Sequence, residues 1–133
     1  MNNKTILVVE DERPLLEAID IKLKKSGFEV VTTRTVEQAK EYVLALKQVD
    51  AIWLDHYLMG KEDGLDFVAW CKEDKNEMIK NIPIFVVSNT TSPDKVATYL
   101  SLGVRDYYVK SNFRLDEIIA NIMERVINKG SAV

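Results

Sequence analysis

The sequence predicts an α/β protein whose five parallel strands form a doubly wound sheet with helices on both faces. Short β-prone runs alternate along the chain with helical patterns of about 10–15 residues, which is typical of βα units. Five such runs occur, and crossovers between parallel strands are right-handed, so we expect five helices and the strand order 2-1-3-4-5. At 133 residues the chain has room for a single domain, residues 1–133, with a core at about 4–129.

The predicted strands are runs of four or five residues rich in β-branched, aromatic and leucine side chains. They are Thr5–Val9, Glu29–Thr33, Ala51–Leu54, Ile84–Val87 and Asp106–Val109. The first reads as fully buried, because four consecutive apolar residues follow Thr5. Three acids come directly after it, although adjacent like charges raise one another's pKa and destabilise a fold unless a cation or solvent accommodates them.

The first two helices are predicted from apolar residues at helical spacing and from residues that start or stop helices. Helix one starts near Pro14 and stops at Gly27. Its apolar stripe consists of Leu16, Ile19 and Leu23. Helix two starts with a capping box between Thr35 and Gln38. Its apolar face consists of Ala39, Val43 and Leu46.

The last three helices follow the third, fourth and fifth strands. Helix three is predicted from Leu65 to about Lys75, with an apolar inner face. Helix four has its N-cap at Ser92, followed by a proline and an acid, and stops at Gly103. Helix five is predicted over Leu115–Lys129, where isoleucine and valine repeat at helical spacing.

Composition and charge exclude several classes of protein. Eighteen basic and 21 acidic residues give a net charge of −3 with no basic block, so we expect no direct binding to nucleic acid. No apolar run approaches the roughly 20 residues that span a bilayer, and the N-terminus lacks the apolar stretch of a signal peptide. Cys71 is the only cysteine, so no intrachain disulfide can form. We therefore expect a cytoplasmic protein that does not contact membranes.

Polar side chains follow four of the predicted strands at one edge of the sheet. They are Glu10 and Asp11 after strand one, Asp55 after strand three, Ser88 after strand four and Lys110 after strand five. Strands one and three are neighbours where the strand order reverses, which is where such sheets bind ligands. Three carboxylates there suit a hard cation such as Mg²⁺. With a hydroxyl and an amine they favour phosphoryl transfer to a carboxylate.

These residues resemble the receiver domain of response regulators, the CheY-like phosphoacceptor of two-component signalling. The resemblance extends through the stretches "ILVVEDE", "IWLDHYL", "DGL", "FVVSN" and "GVRDYYVK" to the last helix. It implies the flavodoxin-like fold of CheY. It also implies a switch that takes a phosphoryl group from a sensor histidine kinase or a histidine phosphotransfer protein. Such a domain catalyses only its own phosphorylation and dephosphorylation, so we expect no enzyme in the ordinary sense.

The resemblance assigns a role to each polar residue at the sheet edge. Glu10 and Asp11 match the acidic pair that binds Mg²⁺, and Asp55 matches the phosphorylated aspartate, which is also a metal ligand. Ser88 matches the hydroxyl residue that hydrogen-bonds the phosphoryl group. Lys110 matches the lysine that pairs with it.

Further roles follow from the same resemblance. The main-chain carbonyl of Tyr57 would be the remaining protein ligand of the metal, and Tyr107 would be the switch aromatic that turns inward as Ser88 moves. The face formed by helix four, strand five and helix five would contact a downstream effector and would include Tyr99, Arg105 and Tyr108. Homodimerisation on phosphorylation is left open.

Two departures from the family pattern affect the expected site. Ser111 follows Lys110 where the family usually has proline, so we expect a trans peptide bond, because a cis bond to another residue costs about 3–4 kcal/mol. The loop after Asp55 is one residue longer, and Gly60 is expected to supply a left-handed bend. His56 should face away from the pocket, because neighbours along a strand point to opposite sides.

Two other functions are compatible with this topology. A small phosphatase with an aspartyl-phosphate intermediate would share the acidic and magnesium chemistry, but it would need a cap over the substrate. A flavodoxin-like carrier of FMN would need a phosphate-binding loop after strand one, where this chain has carboxylates. A stand-alone regulator and a receiver excised from a longer protein are both compatible with the sequence.

Overall fold

The computed structural model describes residues 4–45, 48–90 and 92–127. Within these ranges five parallel strands form one sheet with the order β2-β1-β3-β4-β5, as predicted. The strands are β1 (Thr5–Val9), β2 (Glu29–Thr33), β3 (Ala51–Leu54), β4 (Ile84–Ser88) and β5 (Asp106–Val109). Only β4 differs from its predicted bounds, because Ser88 still pairs with Val109 of β5.

Six α-helices lie in the described ranges. They are α1 (Arg13–Lys25), α2 (Val36–Leu44), α3 (Gly64–Lys72), α4 (Glu77–Lys80), α5 (Pro93–Leu102) and α6 (Leu115–Val126), and a short 3₁₀ helix spans Lys110–Asn112. The five longer helices correspond to the five predicted ones, so helix four of the sequence analysis is α5 and helix five is α6. The single turn α4 was not predicted.

Helix three was predicted too long at its C-terminal end. α3 begins at Gly64, where a reciprocal capping box joins Asp63 and Asp66. It ends at Lys72, three residues before the predicted end at Lys75. The chain then starts again as α4, whose N-cap Asn76 accepts a hydrogen bond from the Met78 N–H at 2.9 Å. A competing cap thus replaces the last predicted turn of helix three.

The other helix ends follow the predicted signals with two differences. Thr35 caps α2 by accepting the Gln38 N–H at 3.1 Å, but the Gln38 side chain accepts from the Arg34 N–H at 2.8 Å, so the predicted reciprocal box is incomplete. Ser92 occupies the N-cap of α5 without a side-chain hydrogen bond. Gly103 ends α5 with φ of +96°, a conformation that glycine adopts without strain. Leu46, residue 128 and Lys129 lie outside the described residues.

The core has two layers, one on each face of the sheet. On one face α2, α3 and α5 cover side chains that include Leu7, Ile52, Leu54, Val86 and Tyr99. On the other face α1 and α6 cover side chains that include Ile6, Val8, Trp53, Phe85 and Tyr108. The central strands are continuous apolar runs because both of their faces are buried. This arrangement leaves polar side chains to the ends of the strands.

Two local expectations are confirmed in the loops. No cis peptide bond occurs in the part of the chain that the structure describes, so the bond between Lys110 and Ser111 is trans. Gly60 has φ of +97° and supplies the left-handed bend in the loop after β3.

Within the described ranges no helix is both long enough and apolar enough to cross a membrane.

Candidate functional site

Three carboxylates meet where β1 and β3 end. Because Val9 of β1 pairs in register with Leu54 of β3, the residues that follow these strands lie side by side. Glu10 and Asp55 are 1% and 5% exposed, and carboxylate oxygens of Glu10, Asp11 and Asp55 lie within 4.8 Å of one another. The structure therefore brings together the three acids that the sequence analysis placed at this edge.

Lys110 joins the acids from the end of β5. Its Nζ lies 3.0 Å from Glu10 Oε1 and 3.4 Å from Asp55 Oδ2. Burial alone would lower the pKa of Lys110, but Asp55 and Glu10 outweigh this effect and raise it, so the amine stays protonated. Burial and the neighbouring Asp55 raise the pKa of Glu10, and Lys110 opposes them only in part.

The charge of this cluster is incompletely balanced by the protein. Three carboxyl groups share a single ammonium group, that of Lys110, so acidic groups outnumber basic groups in the cluster. Both oxygens of Glu10 already have partners, since Oε1 pairs with Lys110 and Oε2 accepts the Glu12 N–H at 3.1 Å. The side chain of Asp11 is half-buried and faces the same cluster. An all-oxygen donor set with this charge is suited to a hard divalent cation.

Arg34 contacts the acidic loop, although it was not among the predicted site residues. From the end of β2 its Nε and Nη2 donate to the Asp11 carbonyl oxygen at 3.2 and 2.7 Å. Its Nη2 also lies 3.8 Å from the sulfur of Met59 in the loop after β3. Arg34 thus ties together the loops that carry Asp11 and Asp55. In the sequence, only its position just after β2, at the same edge of the sheet, could have indicated this role.

Ser88, Thr90 and Tyr107 form a connected group beside the cluster. Ser88 is fully buried at the end of β4, and its hydroxyl oxygen accepts the Thr90 N–H at 3.4 Å. The Tyr107 hydroxyl donates to the Thr90 carbonyl oxygen at 2.8 Å. Burial raises the pKa of Tyr107, so this hydroxyl keeps its proton. In this structure the Tyr107 ring already packs against the core beside α5.

His56 points away from the acidic cluster, as expected from the alternation of side chains. Its main-chain N–H donates to Asp55 Oδ1 at 2.8 Å, whereas its buried ring lies against α5, with Nδ1 2.6 Å from the Tyr99 hydroxyl. Burial lowers the pKa of His56, although Asp63 raises it in part, so the ring is neutral near pH 7. We assign its proton to Nε2, which faces an Asp63 oxygen at 3.9 Å, so Nδ1 accepts from Tyr99.

The predicted partner face must be corrected for two tyrosines. Tyr99 and Tyr108 are 0% and 5% exposed, so neither presents its ring on the surface formed by α5, β5 and α6. Tyr99 points inward to His56, and Tyr108 packs between the sheet and the helices α1 and α6. Arg105 is exposed, as expected.

Tyr57 forms part of the rim of the site. Its side chain is 53% exposed, and the Lys95 Nζ of α5 lies 5.3 Å from the centre of its ring. Tyr57 lies two residues after Asp55 in the chain. Thr90, which follows the neighbouring strand β4, is buried.

Known proteins that are similar to this chain include two transcriptional regulatory proteins. The chain is 32% identical over 122 residues to the phosphate regulon transcriptional regulatory protein PhoB of Pseudomonas aeruginosa, covering 92% of this chain and 51% of PhoB. It is 33% identical over 127 residues to the transcriptional regulatory protein PrrA of Mycobacterium bovis, covering 95% of this chain and 51% of PrrA. The chain thus spans about half the length of the curated relatives it matches.

Solved structures and a family model agree with these relatives. The phosphorylated cyanobacterial phytochrome response regulator RcpA superimposes with a TM-score of 0.83 at 30% identity, over 96% of both chains. The Mn²⁺-bound form of the response regulator Rcp1 gives a TM-score of 0.79 at 26% identity, over 91% of this chain and 92% of Rcp1. The family model of the response regulator receiver domain matches residues 6–123. The chain therefore belongs to the response regulator receiver domains of two-component signal transduction.

Proposed function

We propose that this domain is a phosphoacceptor switch in which Asp55 takes a phosphoryl group from a sensor histidine kinase or a histidine phosphotransfer protein. The main support is one grouping of side chains at the sheet edge. Asp55 is a buried carboxylate 3.4 Å from the Lys110 ammonium, and it shares its pocket with the acids Glu10 and Asp11. The similar protein RcpA has been captured in phosphorylated form.

The transfer forms one bond and breaks one bond. A lone pair on an Asp55 carboxylate oxygen forms the new O–P bond while the P–N bond of the donor phosphohistidine breaks. The electron pair of that bond stays on the donor ring nitrogen, which takes up a proton. Negative charge on the transferred oxygens is compensated by the Lys110 ammonium, and the Ser88 hydroxyl donates to one of them.

Mg²⁺ is the proposed cation of the site. Glu10, Asp11 and Asp55, with the main-chain carbonyl of Tyr57, would hold it. The fit rests on the donor chemistry, because these ligands are all oxygens and the pocket has three carboxyl groups for one ammonium group. When bound, the cation neutralises charge that builds up on the phosphoryl oxygens. The similar protein Rcp1 is known in a Mn²⁺-bound form.

The switch itself would involve Ser88 and Tyr107. Attraction between the Ser88 hydroxyl and a phosphoryl oxygen would move the loop after β4, since Ser88 already contacts the Thr90 N–H. The Thr90 carbonyl oxygen accepts a hydrogen bond from the Tyr107 hydroxyl, so this movement would also change the position of the Tyr107 ring. A ligand shifts a two-state equilibrium only through such differential contacts.

Partners are proposed for the surface formed by α5, β5 and α6. Its exposed side chains include Leu100 and Arg105, which are accessible to a downstream effector. The output of the whole protein, any dimerisation on phosphorylation and a cytoplasmic location stay predictions. We also propose that the domain turns over no external substrate and acts only on its own phosphoryl group.

Intact mass spectrometry after incubation with acetyl phosphate and Mg²⁺ tests the proposal. Wild-type protein should gain one labile phosphoryl group, and Asp55→Asn should gain none. Glu62→Gln is a matched control, because Glu62 pairs with Lys40 outside the pocket. Phosphomonoesters added to the same reaction should not be hydrolysed catalytically. An unlabelled wild type, a labelled Asp55→Asn or sustained turnover of phosphomonoesters would each contradict the proposal.

A further inference from the structure

A continuous path of contacts leads from Asp55 through Tyr99 of α5 to Ser88. One half passes from Ser88 to Thr90 and Tyr107, as described above. The other half leads from Asp55 to His56 and on to Tyr99, whose ring centre lies 5.7 Å from that of Tyr107. The members in order are Asp55, His56, Tyr99, Tyr107, Thr90 and Ser88. Tyr99 of α5 is thus connected to the phosphoacceptor pocket in two directions, through His56 and through Tyr107.

The contact between His56 and Tyr99 is short and shielded from solvent. Nδ1 of His56 lies 2.6 Å from the Tyr99 hydroxyl, and the two rings meet edge to face with centres 5.6 Å apart. Both side chains are buried, so water cannot replace either partner. Separating the two groups would leave two buried polar atoms unsatisfied, which is strongly unfavourable. The pair therefore moves as one unit.

Gly64 permits this close approach of α5 to β3. A Cβ at position 64 would collide with the Tyr99 hydroxyl and would lie 2.9 Å from the Asp55 carbonyl oxygen. The Gly64 N–H also donates to the His56 carbonyl oxygen at 3.0 Å. The main chain of His56 is thus held by Asp55 on one side and by Gly64 on the other, while its ring is held by Tyr99.

We propose that His56 and Tyr99 are positioning residues that form a second link between Asp55 and α5, one that does not pass through Ser88 or Thr90. The proposal rests on the proposed phosphorylation of Asp55. Forming an O–P bond removes the negative charge of the carboxylate, so Asp55 Oδ1 becomes a weaker acceptor for the His56 N–H. Because the His56 ring is fixed to Tyr99, a shift of the His56 main chain is transmitted to α5.

Tyr99→Phe removes the hydroxyl of this link and keeps the ring that packs on Tyr107. Tyr108→Phe is the matched control, since Tyr108 is similarly buried and donates to Asp106 at 3.2 Å on the other face of the sheet. The double variant His56→Leu with Tyr99→Phe removes both polar partners. Since no buried polar group is then left unpaired, this variant separates a loss of stability from a loss of the link.

The measured quantity is the change in amide NMR shifts of α5 when beryllofluoride and Mg²⁺ are added. Acetyl phosphate labelling of the same samples is followed by mass spectrometry. Two links of equal weight predict that the α5 response of Tyr99→Phe and of the double variant is about half that of wild type. Labelling of Asp55 should be unchanged in both variants, and Tyr108→Phe should give the full α5 response.

The second link alone would be overturned if labelled Tyr99→Phe gave a full α5 response. If that single variant does not fold, a full α5 response of the labelled double variant would have the same meaning. A wild-type protein that takes up no phosphoryl group would overturn the proposed function together with this inference. A response reduced equally in Tyr108→Phe would also overturn the link, because the loss would then follow from any missing buried hydroxyl.

Discussion

Glu10 and Lys110, 100 residues apart in the sequence, form an ion pair of 3.0 Å at the edge of the sheet. The Glu10 carboxylate is almost completely buried, and the same ammonium group lies 3.4 Å from Asp55. Lys110 is therefore the protein's own counter-ion for a pocket that carries more negative than positive charge.

Replacing Lys110 with methionine should destabilise the cation-free protein by about 1–3 kcal/mol, because two buried carboxylates lose their counter-ion. The same variant should show a larger increase of Tm on adding Mg²⁺, since the pocket is then more negative. Thermal unfolding with and without Mg²⁺ measures both effects. Lys22→Met is the control, because Lys22 forms an exposed ion pair of 2.9 Å with Asp116. Equal Mg²⁺ shifts in the two variants would contradict the role of Lys110.

Replacing Asp11 with asparagine should raise the Tm of the cation-free protein and reduce the Tm increase caused by Mg²⁺. The first effect follows from the loss of one of three mutually repelling carboxylates, and the second from the loss of a ligand. We expect the wild-type protein to bind Mg²⁺ with a dissociation constant of about 10⁻³ M, because the site offers few protein ligands and Mg²⁺ gives up water reluctantly. Tm is measured as Mg²⁺ is added. The control is Glu12→Gln at the exposed neighbouring residue, which should show neither of these changes in Tm. Equal shifts for Asp11→Asn and wild type would count against the site.

Ser88→Ala should separate labelling from switching. Asp55, Lys110 and the acidic pair remain, so labelling by acetyl phosphate should persist at a reduced rate. The hydroxyl that contacts the Thr90 segment is lost, so the response of β5 to beryllofluoride should largely disappear. Amide NMR shifts along β5 measure it. Ser101→Ala on the exposed side of α5 is the control, and a wild-type response in Ser88→Ala would show that the switch bypasses Ser88.

Tyr57→Asn should shorten the lifetime of the phosphoryl group by a few-fold. The Tyr57 ring stands two residues beyond Asp55, next to Lys95, and should screen the path of an attacking water. Decay of the labelled protein, followed by mass spectrometry after removal of acetyl phosphate, measures the lifetime. Met59→Asn is the matched control, because Met59 is also 53% exposed and lies in the same loop. Equal decay in the two variants would remove Tyr57 from this role.

Burial raises the pKa of the Cys71 thiol to about 12, so the thiol should resist alkylation by iodoacetamide in the folded protein at about pH 8. A folded-state pKa above the unfolded value means that the folded state holds the proton more tightly. The contribution of this thiol to the free energy of unfolding is therefore fully present below the unfolded pKa of 9.0, and it is lost as the pH rises toward about 12. Denaturant at about pH 8 should expose the thiol and allow labelling. Rapid alkylation without denaturant would contradict the buried position of Cys71.

The sheet was predictable because its three central strands are short, mainly apolar runs that helices cover on both faces. Four strands have the predicted bounds, and the strand order follows from the alternation with helices. The one-turn helix α4 was missed because Glu77–Lys80 is too short to show helical periodicity, and only its N-cap Asn76 marks it. The third helix was predicted too long because the competing N-cap at Asn76 was not recognised.

The site was predictable to the extent that parallel strand ends meet at one edge. The directions of long side chains were less predictable. Tyr99 was assigned to the surface, although the absence of a side chain at Gly64 lets it reach His56 in the core. Arg34 was missed because its contact with Asp11 joins two loops 23 residues apart, and no local pattern indicates where its guanidinium group lies.

Reductive trapping identifies the phosphorylated residue itself. Borohydride converts an aspartyl phosphate to homoserine. Protein treated with acetyl phosphate and Mg²⁺, then reduced and digested, therefore reports the acceptor residue by tandem mass spectrometry. We expect homoserine at position 55 in wild type and none in Asp55→Asn. Homoserine at position 11, or at any other aspartate in place of 55, would contradict this expectation.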